Sequence, residues 1–279
     1  MENSILDLLD VEQLDRDLYR GSSFWSKPRP NLFGGQVAAQ ALRAATLTVP
    51  DDRHPHSLHG YFLRRGTPER PIILRVYRDR DGGSFSARRV VAIQDGEALF
   101  TVSASFHAGE TSGDFQVDMG TDAPEPESLP SLSAAGSRDA IVEMRPVPGD
   151  PAAGVPPSGR QFAPASRLWI RVADELPDDD SIHACALTYI SDYGSGFAGT
   201  DIAGLAQGGP SLDHCIWFHQ PIRLDDWVLL DLWPLRASNA RGTYMGTVHD
   251  RAGNLGGVLA QEALLRSHPG DLRPPAGKA

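Results

Sequence analysis

The stretch from Ile190 to Leu205, ISDYGSGFAGTDIAGL, gathers residue types that do chemistry: a carboxylate at Asp192, a hydroxyl at Ser195, and a GxGxxG in Gly194, Gly196 and Gly199. A dinucleotide turn needs such glycines between a strand and a helix, with an acidic residue about 20 positions on to hold the ribose. Asp213 stands near that distance, and the apolar run Ala184 to Ile190 precedes the glycines. Gly204, Gly208, Gly209 and Pro210, however, interrupt any crossover helix, so the pattern does not specify a nucleotide site. A nucleophile elbow needs GxSxG, and the residue two before Ser195 is Tyr193. Taken alone, Asp192 is a turn residue at the end of a helix.

Other chemistries are narrowed by composition. The two cysteines, Cys185 and Cys215, form no CxxC, and the histidines form no HExxH or compact Cys/His set, so no metal is expected. The cysteines read as small buried thiols in a reducing compartment. With 26 Lys and Arg against 36 Asp and Glu the net charge is −10, which disfavours a nonspecific nucleic-acid surface. Only Lys27 and Lys278 are lysines, so local phosphate recognition would fall to arginine. No apolar run approaches the roughly 18 residues of a membrane span, and Met1 is followed by Glu2 and Asp7 rather than a secretory leader. A soluble, cytoplasmic protein is the expectation.

Two similar halves must position whatever site exists. The stretches SLHGYFLR, 57–64, and SLDHCIWF, 211–218, both open with Ser-Leu and continue as short apolar, aromatic strands. Each is followed by more strand-like runs, with turns at Asp81-Gly82-Gly83 and Asp95-Gly96 in the first half and Ala252-Gly253 in the second. A helix candidate lies ahead of each set. FGGQVAAQALRAATLTV carries Val37, Gln40, Ala41, Ala44 and Ala45, and DSIHACALTYISDYG carries Ile182, Cys185, Ala186 and Tyr189, with Asp180 or Ser181 as its N-cap. One helix followed by antiparallel strands, given twice, is an α+β pattern. The Pro-, Ser-, Ala- and Gly-rich 114–159 reads as a loosely packed connector between units 1–113 and 160–279.

The blocks FGGQVAAQALRAA, HSLHGYFLRRG, PIILRVYRDRDGGSFSARRVVAIQDGEALFTVSASF, TYISDY, SLDHCIWFH, ASNARG and AQEALLR resemble, in order, the signature blocks of the acyl-CoA thioesterase II family. The resemblance implies a double hotdog, with each half wrapping an antiparallel sheet round a central helix and the two sheets paired. It implies hydrolysis of acyl-CoA by a water held by an Asp, a hydroxyl and a Gln, with neither an acyl-enzyme nor a cofactor. By motif position these are Asp192 as general base, Ser211 where the family commonly has Thr, and Gln261, whose first-half counterpart is near Ala104. Glu262 should face away, because adjacent strand residues alternate.

Further candidates accompany that set. The family has a His at the position of His56, and the backbone N–H groups of Gly34 and Gly35 at the first helix could serve an oxyanion or a phosphate. Arg64, Arg65, Arg88, Arg89 and Arg241 are candidates for the phosphates of coenzyme A, although alternation lets only one of Arg88 and Arg89 face inward. The loop Gly194 to Pro210 is expected to border the acyl tunnel, and a homodimer or homotetramer is compatible with the family. Two other readings stand beside hydrolysis: a non-catalytic acyl-CoA-binding double hotdog, and a hydratase, for which no paired Asp and His motif is found.

Overall fold

The computed structural model describes residues 4–23, 31–116, 123–132, 141–148, 166–198 and 209–266. In the first half α1 (Ile5–Leu9) is followed by β1 (Glu12–Asp15), β2 (Leu18–Gly21), α2 (Gly34–Thr46), β3 (Arg53–Phe62), β4 (Ile72–Asp81), β5 (Phe85–Gln94) and β6 (Glu97–Ala108). The second half comprises β7 (Val142–Pro146), β8 (Ser166–Val172), α3 (Asp180–Ile190), β9 (Asp213–Phe218), β10 (Val228–Ser238), β11 (Arg241–Asp250) and β12 (Leu255–Leu264).

These strands form one sheet in the order β1-β2-β4-β5-β6-β3-β9-β12-β11-β10-β8-β7. The order is symmetric about its centre, where the two Ser-Leu stretches meet as antiparallel neighbours: Gly60 opposes His214, and His59 and Tyr61 oppose Cys215 and Asp213. Exchanging the halves therefore maps the junction onto itself. The expected turns are present, and at the β5–β6 hairpin Asp95 and Gly96 both take left-handed backbone (φ 51° and 81°), the geometry of a type I′ turn.

Helices α2 and α3 lie against each other, and α2 also packs on β3, β4, β5 and β6. This contact needs the small side chains that the sequence supplies: Ala38, Ala39, Ala41, Ala44 and Ala45 are all buried. One continuous core joins Leu42, Phe100 and Phe106 of the first half to Leu187, Tyr189 and Leu259 of the second. The strands show the half-buried alternation of period two; on β5, Ser86, Arg88, Val90, Ala92 and Gln94 point inward.

Two expectations differ from the structure. The N-cap of α3 is Asp179, which accepts from the Ser181 amide, rather than Asp180 or Ser181. Within the stretch read as connector, β7 pairs with β8, and Leu129 and Val147 pack with Trp169, Trp227 and Leu229 on the outer face of the second half. That contact explains why β10 is buried on both faces from Val228 to Leu232. The rest of the connector, 117–122, 133–140 and 149–159, lies outside the described residues, as do 199–208 of the glycine-rich loop.

Candidate active site

Helix α3 ends at Ser191, whose N–H donates to the Leu187 carbonyl, and Asp192 follows at once. Its Oδ2 accepts from the backbone N–H of Gly35 at 2.9 Å, in the first turn of α2. A carboxylate there meets free amide donors and the positive end of the helix dipole. Only glycines allow the approach: a Cβ on Gly34 would stand 2.7 Å from Asp192 Oδ2, and one on Gly35 would stand 2.4 Å from the Tyr189 carbonyl. The end of α3 is thus fastened to the start of α2.

Two side chains from the second-half strands complete the cluster. Ser211, bridged to Ala263 of β12, donates its hydroxyl to Asp192 Oδ1 at 3.1 Å. Gln261 on β12 donates from Nε2 to the same oxygen at 3.1 Å and also to Ser211 Oγ. Two side chains from two segments therefore converge on one carboxylate, which accepts from the Gly35 amide as well. Ser211 and Asp192 are half-buried while Gln261 is 3% exposed, so the amide is held by protein contacts rather than by solvent.

The buried shell behind Gln261 was not apparent from residue types. His214 of β9 has no exposed surface; its Nδ1 faces Gln261 Oε1, and its Nε2 lies 2.8 Å from Ser191 Oγ. Burial pushes its pKa below the ordinary histidine range, against the opposing pull of Asp192, the Gln261 bond and Asp213. Tyr244 opposes Gln261 in the β11–β12 register, and burial, with Asp192 and Asp213 nearby, pushes its phenol upward. A signal for His214 did exist: it alternates inward with Ile216, and a polar side chain on an inward position requires partners.

The remaining candidates are distributed elsewhere. The Gly35 amide is engaged by Asp192 rather than offered to an oxyanion or phosphate. His56 bonds Ser105 through Nε2 at 2.8 Å and lines a cavity of about 330 Å³ with His54, His107, His183, Phe218 and His219. Asp180 and His183 place that cavity at the start of α3, an 11-residue helix about 16 Å long, whereas Asp192 follows its end. His56 is therefore not part of the Asp192 cluster.

Among the arginines, Arg88 is the inward one of its pair and is 1% exposed. Its five N–H groups are spent on Thr48 Oγ1 and carbonyl, the carbonyls of Arg80 and Ala87, and Asp81, leaving none for a phosphate. Arg89 lies over the Tyr77 ring and pairs with Asp79, and Arg241 pairs with Glu262, which does face away from the cluster. Arg64 pairs with Glu97, and Arg65 is exposed; both follow Phe62, whose ring touches the Gly34 approach. The first half lacks the amide: Val102 opposes Gly60 at the position that Gln261, one register step beyond Ala260–Cys215, takes opposite His214. The counterpart expected near Ala104 is displaced to apolar Val102.

Residues 22–107 match the family model for the acyl-CoA thioesterase N-terminal domain, and residues 117–265 match that for the C-terminal domain. The chain belongs to the acyl-CoA thioesterase II family. It is 37% identical to acyl-coenzyme A thioesterase 8 of Rattus norvegicus, over 95% of this chain and 89% of that one. Acyl-CoA thioesterase 2 of Haemophilus influenzae is 33% identical, over 95% and 97%. The crystal structure of acyl-CoA thioesterase II TesB2 from Mycobacterium marinum superposes with a TM-score of 0.82 at 38% identity, covering 97% and 99%. A hot dog fold protein from Alicyclobacillus acidocaldarius, 17% identical with a TM-score of 0.73, extends the likeness of fold beyond sequence similarity. The family resemblance of the sequence blocks is thereby confirmed.

Proposed function

We propose that this chain hydrolyses acyl-CoA to a carboxylic acid and coenzyme A, using a water held by Asp192, Ser211 and Gln261. The convergence of Ser211 Oγ and Gln261 Nε2 on Asp192 Oδ1 carries the reading. A water entering this cluster donates a hydrogen bond to the carboxylate and accepts one from the hydroxyl or amide in place of a contact that group now makes within the cluster, which turns a lone pair toward the thioester carbonyl. As it attacks, its proton passes to Asp192, the general base. The tetrahedral intermediate then expels the coenzyme A sulfur, which takes the proton from Asp192. The balance is one thioester and one water giving one acid and one thiol, with neither a covalent acyl-enzyme nor a cofactor.

The architecture supports a double hotdog in which α2 and α3 are the central helices of the two halves, the second of which includes β7. The site lies between the halves, because Asp192 depends on Gly35. Arg64 and Arg65, beside Phe62, are the arginines we assign to the coenzyme A phosphates. Thiol release from short, medium and long acyl-CoAs by the parent and by Asp192→Asn, at matched folding, tests the proposal. The parent should release thiol, and the variant should lose about 10²-fold or more in turnover. Binding without release by the parent would indicate an acyl-CoA-binding protein, and loss or gain of enoyl absorbance without thiol would indicate a hydratase.

A further inference from the structure

The Gln261 carboxamide has two chemically opposite ends and works at the carboxylate in only one orientation. With Nε2 toward Asp192 Oδ1 and Ser211 Oγ it donates to both. Turned by 180°, it would present Oε1 to a carboxylate that can only accept. The contact that decides between these lies at its other end, where Oε1 meets His214 Nδ1. His214 has no exposed surface, so solvent does not arbitrate.

The imidazole in turn has two ends. In the neutral ring one nitrogen donates and the other accepts. Nε2 lies 2.8 Å from the hydroxyl of Ser191, the residue that caps α3 and precedes Asp192. If Ser191 donates to Nε2, then Nδ1 carries the proton and donates to Gln261 Oε1, and every link has matched polarity. Ser191 Oγ also lies 3.0 Å from the Thr188 carbonyl. A hydroxyl that donates there instead favours the Nε2–H tautomer, which leaves the Nδ1 lone pair facing Oε1.

We propose that His214 is a positioning residue for this site: held as the Nδ1–H tautomer by Ser191, it fixes the Gln261 carboxamide with its NH₂ toward Asp192 and Ser211. The polarity runs from Ser191 through His214 and Gln261 to Asp192, so the helix end that supplies the carboxylate also sets the amide that faces it. This rests on the reading of Asp192, Ser211 and Gln261 as the water-holding set. Burial keeps the ring neutral, as the relay requires.

Two measurements separate the proposal from a packing role and from failure of that reading. In His214→Asn the side-chain amide can stand where Nδ1 stands, whereas in His214→Gln the donor reaches only toward Ser191. At matched thermal stability and unchanged KM, His214→Asn should keep kcat within about tenfold of the parent, while His214→Gln should fall by about 10²-fold, the scale of a misplaced catalytic group. In a Gln261→Ala background, His214→Gln should add nothing, because a residue acting through Gln261 has nothing left to act on. Full multiplication of the two losses, or equal kcat in Asn and Gln variants, would overturn it. Independently of activity, ¹⁵N shifts of the His214 ring should report protonation at Nδ1, and an Nε2–H tautomer would refute the relay even if Asp192→Asn abolishes turnover. An Nδ1–H ring in a protein that releases no thiol would leave the relay standing and remove only the hydrolytic reading.

Discussion

At the scale of the residue, Asp192 is held by three kinds of donor: a backbone amide, a hydroxyl and a carboxamide. Each approaches from a different element, so the carboxylate cannot rotate without losing one. Ser211 contributes only its hydroxyl to this arrangement. Ser211→Thr should retain turnover within about threefold, whereas Ser211→Ala should lose it by about 10²-fold in a thiol-release assay; equal rates for all three would remove the hydroxyl from the mechanism. Residue types and family blocks make Asp192, Ser211 and Gln261 legible in the sequence. His214 lies inside one of the same blocks, yet its role depends on burial and on the Ser191 contact, which spacing alone does not encode. Alternation lets only one of Arg88 and Arg89 face inward, but tells neither which one nor that the donors of Arg88 meet the protein's own carbonyls rather than a phosphate.

At the scale of the element, the decisive contact is the meeting of the α2 start with the α3 end. A methyl group at Gly35 would collide with the Tyr189 carbonyl, which is backbone and cannot swing aside as a side chain can. Gly35→Ala should therefore separate the helix ends, weaken the amide's hold on Asp192, and lower kcat by about tenfold or more. It should also lower the melting temperature, because helix packing is disturbed. Parallel kinetics and thermal scans check this, and an unchanged kcat would show that the Gly35 contact does not orient the carboxylate. Helices α2 and α3 and most strands are legible because period and turn signals agree there, as in the Ala face of α2 and the Asp95-Gly96 turn. β7 is not, because VEMRP is short, ends in proline and sits in a stretch whose composition reads as linker. Its pairing with β8 and the Trp169–Trp227 cluster supply what local propensity lacks.

At the level of the whole molecule, the duplicated sequence becomes one sheet over a shared core, with a single half bearing the Gln. The sheet's symmetric order follows from the echo between 57–64 and 211–218, but that these two stretches pair with each other does not follow from similarity alone. The shared core also buries histidines. Burial depresses the pKa values of His214, His183 and His56, so the unfolded chain binds protons that the folded chain resists. The stability they contribute is full above the unfolded value of about 6.5 and is lost as pH falls below it toward the folded values. The melting temperature should thus decline between about pH 6.5 and 5, ahead of carboxylate titration, and a flat or rising profile there would contradict the assignment of these rings as neutral in the fold.

In the proposed reaction, water activated by Asp192 attacks the thioester directly. A single turnover in ¹⁸O-enriched water, with enzyme in excess over acyl-CoA and mass analysis of the released acid, tests it most directly. Direct attack places one ¹⁸O in the acid at the first turnover and leaves Asp192 unlabelled. Acid released with only ¹⁶O, together with label in the Asp192 carboxylate, would mean that the aspartate itself attacked and formed an anhydride, and would contradict the account.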